Sequence, residues 1–301
     1  MKLTILGCYS ATPRIIAHTT SQVLETRGHH FLIDCGEGTQ IELRRHKLKF
    51  NQIKHVFISH LHGDHYFGLI GLISTFRLLR REVDLNIYGP KGLKEIITLQ
   101  LKLSNSWTNF NLIFHELETK DSECIFEDDK VEVHTIPLDH RVYTNGFLFK
   151  EKPFERKLLI ENAEAKNIDV AYYRKLKQGA DVYNQDGVLI KNEEVTTNGC
   201  IPKRYAFCSD TAYSESIIPI IQGVDALYHE STFLEDQAAL CAKTKHSTAK
   251  QAATIANKAR VGRLILGHYS TRYKDLEPFK DEAMTVFKKV ALAKDGKIFH
   301  I

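Results

Sequence analysis

His60-Leu61-His62-Gly63-Asp64-His65 follows directly on the apolar run His55-Val56-Phe57-Ile58-Ser59. Imidazole and carboxylate side chains are the ligand set of zinc and similar divalent metals. The spacing points to two metals rather than one. Side chains alternate along a strand, so His60 and His62 leave the strand end on the same side. Asp64 and His65 fall where a turn enters the next helix and face a second ion, with Gly63 allowing the sharp bend. The plainer alternative is a polar loop of solvated histidines. It does not explain why the loop sits at the carboxyl end of an apolar strand, where open sheets place their ligands.

Outward from this string, the first 150 residues alternate β-rich runs with helical patterns. Met1–Gly7 reads as a first strand. Ser21–Thr26 and Phe31–Cys35 flank Gly28-His29-His30 as a hairpin would. Gly68 to Arg81 predicts a helix with Leu69, Leu72, Ile73, Phe76 and Leu79 on one face. A strand over Leu85–Pro90 ends on a Gly-Pro breaker, and Leu93 to Leu103 is helical. Strands are expected at 112–114, 131–136 and 146–149. After a charged stretch the α/β rhythm returns, with strands at 205–208, 226–229 and 263–268. Between the last two lies a helix from Thr248 to Ala259, opened by Thr248 and Gln251 in capping-box spacing.

A chain of 301 residues buries a sizeable core. No apolar stretch reaches the roughly 18 residues of a membrane span, so no membrane partner is expected. The apolar run at the N-terminus is too short for a signal peptide. Six scattered cysteines without a C-x-x-C pair fit a reduced, cytoplasmic setting, with cysteines as small buried residues. A formal charge of +4 permits an anionic partner without requiring one.

Further metal-type residues close other strands. His140 follows Ile136-Pro137-Leu138-Asp139, Asp210 follows Phe207-Cys208-Ser209, and His268 follows Leu264-Ile265-Leu266-Gly267. Each alone is readable as a capped surface residue. Together they complete two ligand shells, with His60, His62 and His140 on one metal, Asp64, His65 and His268 on the other, and Asp210 bridging. Two adjacent divalent cations suit displacement at a phosphodiester.

The string resembles the metallo-β-lactamase superfamily, and within it the ribonuclease Z family of tRNA 3′-processing endonucleases. The narrower resemblance rests on Gly7–Pro13, Asp34–Gln40, Leu138–Arg141, Cys208–Thr211, His229–Thr232, Lys245–Thr248 and Gly267–Tyr273, in that order. It implies an α/β fold, a metallo-β-lactamase-like αββα sandwich over residues 1–301 as one domain, with an inserted flexible arm at 150–198. It implies two zinc ions per subunit, with manganese as the alternative, and a homodimer in which one subunit's arm serves the other's site. It also implies removal of 3′ trailers from precursor tRNA, leaving a 3′-hydroxyl. By the same resemblance Asp64 is both ligand and acceptor of the attacking water's proton, and His246 protonates the leaving oxygen. Glu230 then orients His246, unless it is only a structural carboxylate at a strand end. Ser247 and Thr248 are expected to cap the following helix.

The arm's base resembles Lys152-Pro153 and Lys175–Gly179, and its basic residues would touch backbone phosphates. Ile168–Arg174 lacks the usual Gly-Pro of the tip, and a disordered surface loop is the alternative for the whole insertion. Cys8 stands where a small hydroxyl residue is expected. The competing function is hydrolysis of a small phosphodiester, thioester or lactam; another class is an RNA-binding protein without catalysis.

Overall fold

A computed structural model describes residues 1–12, 14, 15 and 17–301. Pro13, the end of the first motif loop, lies outside the described residues. Contacts divide the chain into two compact units, one made of Met1–Lys150 with Lys203–Ile301, the other of Glu151–Pro202.

The larger unit is built on two seven-stranded sheets. The first half contributes β1 (Lys2–Gly7), β2 (Ser21–Thr26), β3 (His29–Cys35), β4 (Ile53–Phe57), β5 (Leu85–Pro90) and β6 (Leu112–Leu117). It then continues into β7 (Cys124–Glu127), β8 (Val131–Pro137) and β9 (Asn145–Glu151). The smaller unit holds four two-residue strands, β10 (Lys157–Leu158), β11 (Val182–Tyr183), β12 (Leu189–Ile190) and β13 (Thr196–Thr197). The second half adds β14 (Arg204–Cys208), β15 (Ala226–Glu230), β16 (Leu264–Gly267), β17 (Val290–Leu292) and β18 (Ile298–His300). One sheet runs β18-β1-β2-β3-β4-β5-β6 and the other β17-β16-β15-β14-β9-β8-β7. In each, one run of strands is parallel: β3 to β6 in the first, β14 to β17 in the second.

Period-two alternation separates the layers. Phe31, Ile33, Phe57 and Tyr88 belong to one core with Phe147, Phe149, Tyr205 and Phe207 of the other sheet. Their neighbours Leu32, Val56 and Ile87 belong to a second core. There they meet Leu43 of helix α1 (Thr39–Arg45), Leu72 and Phe76 of α3 (Gly68–Leu78), and Ile97 of α4 (Leu93–Leu103). A short α2 (Gly63–Tyr66) precedes α3. Ala252, Ala256 and Phe279, from two helices of the second half, pack with the sheet-to-sheet core. The result is the αββα sandwich expected from the sequence.

Local expectations shift in three places. Leu79 is not on the buried face of α3. The helix ends at Leu78, Arg80 turns left-handed (φ 56°), and Leu79 is left 44% exposed. The strand over 85–90 runs through its Gly-Pro, with Pro90 opposite Leu117; pairing with β4 stops at Tyr88, so Pro90 has a strand neighbour on one side only, an edge position where proline is tolerated. Cys124 and Cys200 are exposed, while the other four cysteines are buried. Helix α1 and the edge strand β18 were not anticipated.

The smaller unit folds around its own core of Ala163, Ile168, Leu176, Val182, Ile190 and Val195. These residues are spread over 33 positions without a continuous apolar run, which is why the segment reads as pure surface. Helices α5 (Ile160–Ala165), α6 (Tyr173–Lys177) and α7 (Asn192–Val195) surround them. In the stretch that lacks the family's usual Gly-Pro, Val170–Tyr172 forms a single 3-10 turn capped by Asp169. The unit is not basic as a whole: it has nine acidic and eight basic residues. Its positive charge concentrates in Arg174, Lys175 and Lys177 of α6, all exposed.

Candidate metal centre

Four of the seven metal-ligand candidates follow the ends of parallel strands. His60 and His62 follow β4, Asp210 follows β14, and His268 follows β16. His140 comes from the loop after β8, while Asp64 and His65 sit in α2. All seven metal-ligand candidates named from the sequence therefore meet at one end of the two sheets. His62 is in extended conformation (φ −77°, ψ 141°), so the strand direction persists past Phe57 before Gly63 turns into α2.

The donor atoms form two sets around one carboxylate. His60 Nε2 lies 3.0 Å from His62 Nδ1, and His140 Nε2 lies 3.3 Å from that same Nδ1. Asp210 Oδ2 faces this trio, 3.6 Å from His60 Nε2 and 3.9 Å from His140 Nε2. The other oxygen, Oδ1, is 3.4 Å from His65 Nε2 and 3.0 Å from His268 Nε2. Asp64 Oδ2 completes the second set at 3.4 Å from His65 Nε2 and 3.5 Å from His268 Nε2. His65 Nε2 and His268 Nε2 are buried without a hydrogen-bond partner. Buried nitrogens that face a carboxylate without a hydrogen bond are suited to share a cation with it. The residues fit two divalent cations.

The opposite nitrogens of these rings are anchored. His65 Nδ1 is 2.7 Å from Asp34 Oδ2, and Asp34 also accepts the Ser59 N–H at 2.7 Å. His140 Nδ1 donates to the Lys245 carbonyl at 2.8 Å, and His268 Nδ1 is 2.9 Å from Thr232 Oγ1. Such partners fix ring orientation and raise ligand basicity. The Ala11 N–H donates to Asp64 Oδ2 at 2.7 Å, which gives the Gly7–Pro13 loop a contact with the site. Cys8, by contrast, points its Sγ at Asp295 Oδ1, 3.6 Å away. Asp34 and His268 hold left-handed backbone (φ 54° and 59°), a strain that non-glycine residues carry mainly at functional positions.

Burial holds His60, His62 and His140 below the ordinary imidazole value, which keeps their lone pairs free. Burial alone would lower His65 too, but Asp210, Asp64 and Asp34 override it and push it up. A cation held by that set would have to displace the proton.

His246 stands beside the two sets. Its Nδ1 is 2.9 Å from Glu230 Oε1, and although burial opposes it, Glu230 raises the imidazole to about 9. Nε2 is left for the pocket that His246 lines, a cleft of about 640 Å³. Glu230 is fully buried and also accepts the N–H groups of Thr211, Thr232 and Ser247 at 3.1, 2.9 and 3.1 Å. It is thus both a structural carboxylate and the partner of His246. Thr248 and Gln251 make the reciprocal capping box, whereas Ser247 Oγ donates to the Thr211 carbonyl instead of capping.

Asp34, Thr232 and the Lys245 carbonyl were not assigned roles from sequence. Asp34 left a signal, a lone carboxylate ending the apolar run Phe31-Leu32-Ile33. The other two left none.

A family model described as Anti-Pycsar protein Apyc1 matches residues 1–161. A ribonuclease Z of Parabacteroides distasonis is 45% identical over 98% of this chain and 97% of its own length. One from Cytophaga hutchinsonii is 46% identical over 100% of this chain and 96% of its own. Among solved structures, the short form of human tRNase Z superposes with a TM-score of 0.74 at 26% identity, covering 100% of this chain and 99% of that one.

Proposed function

The chain belongs to the ribonuclease Z family and, through residues 1–161, to that of the Anti-Pycsar protein Apyc1; from that premise we propose that it is a metal-dependent endoribonuclease removing 3′ trailers from precursor tRNA. The product is a tRNA with a free 3′-hydroxyl. The observation that carries this is the split carboxylate of Asp210, whose two oxygens face two separate donor sets with His246 alongside.

His60, His62 and His140 would hold one cation, Asp64, His65 and His268 the other, and Asp210 both. Nitrogen and carboxylate donors suit two zinc ions per subunit, with manganese as the alternative. When bound, such a pair supplies Lewis acidity and lowers the pKa of water. The protein's own part is proton traffic. Asp64, held by the Ala11 N–H, accepts the proton of the attacking water. His246, charged at neutral pH through Glu230, delivers a proton from Nε2 to the departing 3′ oxygen.

Incubation of the purified protein with a precursor tRNA should give one cut on the 3′ side of the discriminator nucleotide. Chelation should abolish it, and added zinc or manganese restore it. Turnover of a small phosphodiester without any cleavage of precursor tRNA would favour the competing hydrolase.

The smaller unit is proposed as the RNA grip, acting on the partner's substrate within a homodimer. Arg174, Lys175 and Lys177, with Tyr172 beneath the Lys175 ammonium at 5.4 Å, are its phosphate contacts. The chain leaves the larger unit after Lys150 and re-enters at Lys203, and Lys150 pairs with Arg204 in adjacent strands. A short Gly-Ser turn replacing 152–201 should therefore leave that unit folded. Binding of precursor tRNA should weaken. Its salt dependence should fall by a slope of roughly 2–3 for three lost phosphate contacts. Unchanged affinity and slope would show that the unit does not grip RNA.

A further inference from the structure

Phe67 is 61% exposed, yet it lines the same cleft as Asp64 and His246. Its ring is held in place. It lies so closely over Gly63 that a Cβ there would come within 2.1 Å of it, which gives the glycine of the H-L-H-G-D-H string a second purpose. Tyr66 meets it edge-on with centroids 5.0 Å apart. The backbone is equally fixed. The Phe67 N–H donates to the Gly63 carbonyl at 2.9 Å, and the next residue, Gly68, abuts the Gly36 carbonyl so closely that any Cβ would sit 2.1 Å from it. A ring clamped at the α2–α3 junction and left open to solvent has little to gain from packing. It is a preorganised flat surface at the mouth of a site for RNA.

We propose that Phe67 is a specificity-determining platform on which the base of the first trailer nucleotide, immediately downstream of the scissile phosphate, stacks. This rests on the ribonuclease reading above. The side follows from the chemistry. Water oxygen bonds to phosphorus as the P–O3′ bond breaks. The water proton passes to Asp64, the proton of His246 passes to the departing 3′ oxygen, and the trailer keeps a 5′-phosphate. In an in-line displacement the attacking and leaving oxygens lie on opposite sides of phosphorus. Phe67 stands three residues after Asp64, the group assigned to the attacking water, whereas the departing upstream ribose is assigned to His246. The downstream nucleotide is the one whose base can reach it. Every base offers a π-face, so the platform tolerates any trailer sequence while demanding that a base be present.

The test pairs enzyme variants with two precursor tRNAs, one abasic at the first trailer position and one abasic at the last retained nucleotide. In the unaltered protein the downstream abasic substrate should lose roughly 5- to 150-fold in kcat/KM, mostly through KM. In Phe67→Ala and Phe67→Leu the normal and abasic substrates should differ by less than about 2-fold, and Phe67→Tyr should restore the penalty. Metal content of each variant checks that the ligands beside Phe67 are undisturbed. A downstream penalty that survives in Phe67→Ala overturns the proposal. So does a penalty abolished only for the upstream abasic substrate, which would place the ring on the other nucleotide. If the unaltered protein cuts no precursor tRNA at all, it is the ribonuclease reading that fails.

Discussion

If the proposed two-ion site is right, replacing Asp210 by alanine should remove both ions and bring cleavage of precursor tRNA below detection. Its two oxygens serve different donor sets, Oδ2 toward His60 and His140, Oδ1 toward His65 and His268. Without the carboxylate, two cations in one buried pocket would face each other unscreened, and neither set would keep its shared ligand. Asp210→Asn is the finer experiment. It preserves shape and removes charge, so metal stoichiometry should still fall from two toward one or fewer. Elemental analysis of the purified variants checks both. Two ions retained at full occupancy would end the bridging assignment.

Replacing His246 by alanine should do the opposite to the metals and nearly the same to the reaction. Metal content should stay at the unaltered level while kcat for precursor tRNA drops roughly 10²–10⁴-fold, the range of a lost general acid. The fold should tolerate the change. Glu230 loses one partner but keeps the N–H groups of Thr211, Thr232 and Ser247. A substrate with a better leaving group than a ribose 3′ oxygen needs less protonation, so its loss should be smaller. The geometry also defines the contrary result. His246 Nδ1 is 4.0 Å from Asp210 Oδ2, and Asp210, His246 and His268 are themselves close enough to hold an ion. Metal loss in His246→Ala would make His246 a ligand and the assignment of proton donor wrong.

The sequence by itself determined the fold class and the ligand types. The short apolar runs at 31–33 and 56–58 and the helical spacing in 68–76 and 93–101 are local properties, legible because run length and side-chain period separate buried strands from helices. The ligand string was legible for the same reason, being six consecutive residues at a strand end. Capping of the 249–258 helix by Thr248 and Gln251 needed only a spacing of three.

What only the tertiary structure decided depends on residues far apart in the chain. That Asp34 orients His65 across 31 positions, and that Thr232 holds His268 across 36, follows from sheet register and loop closure, which no local pattern carries. The split of Asp210 between two donor sets needs both sheets in place. The core of the smaller unit joins six residues spread from Ala163 to Val195, each unremarkable among charged neighbours. The exposure of Phe67 was equally hidden. In sequence it continues the apolar pattern of a helix, and only the clash that Gly63 avoids and the contact of Gly68 with Gly36 turn its ring outward over the cleft.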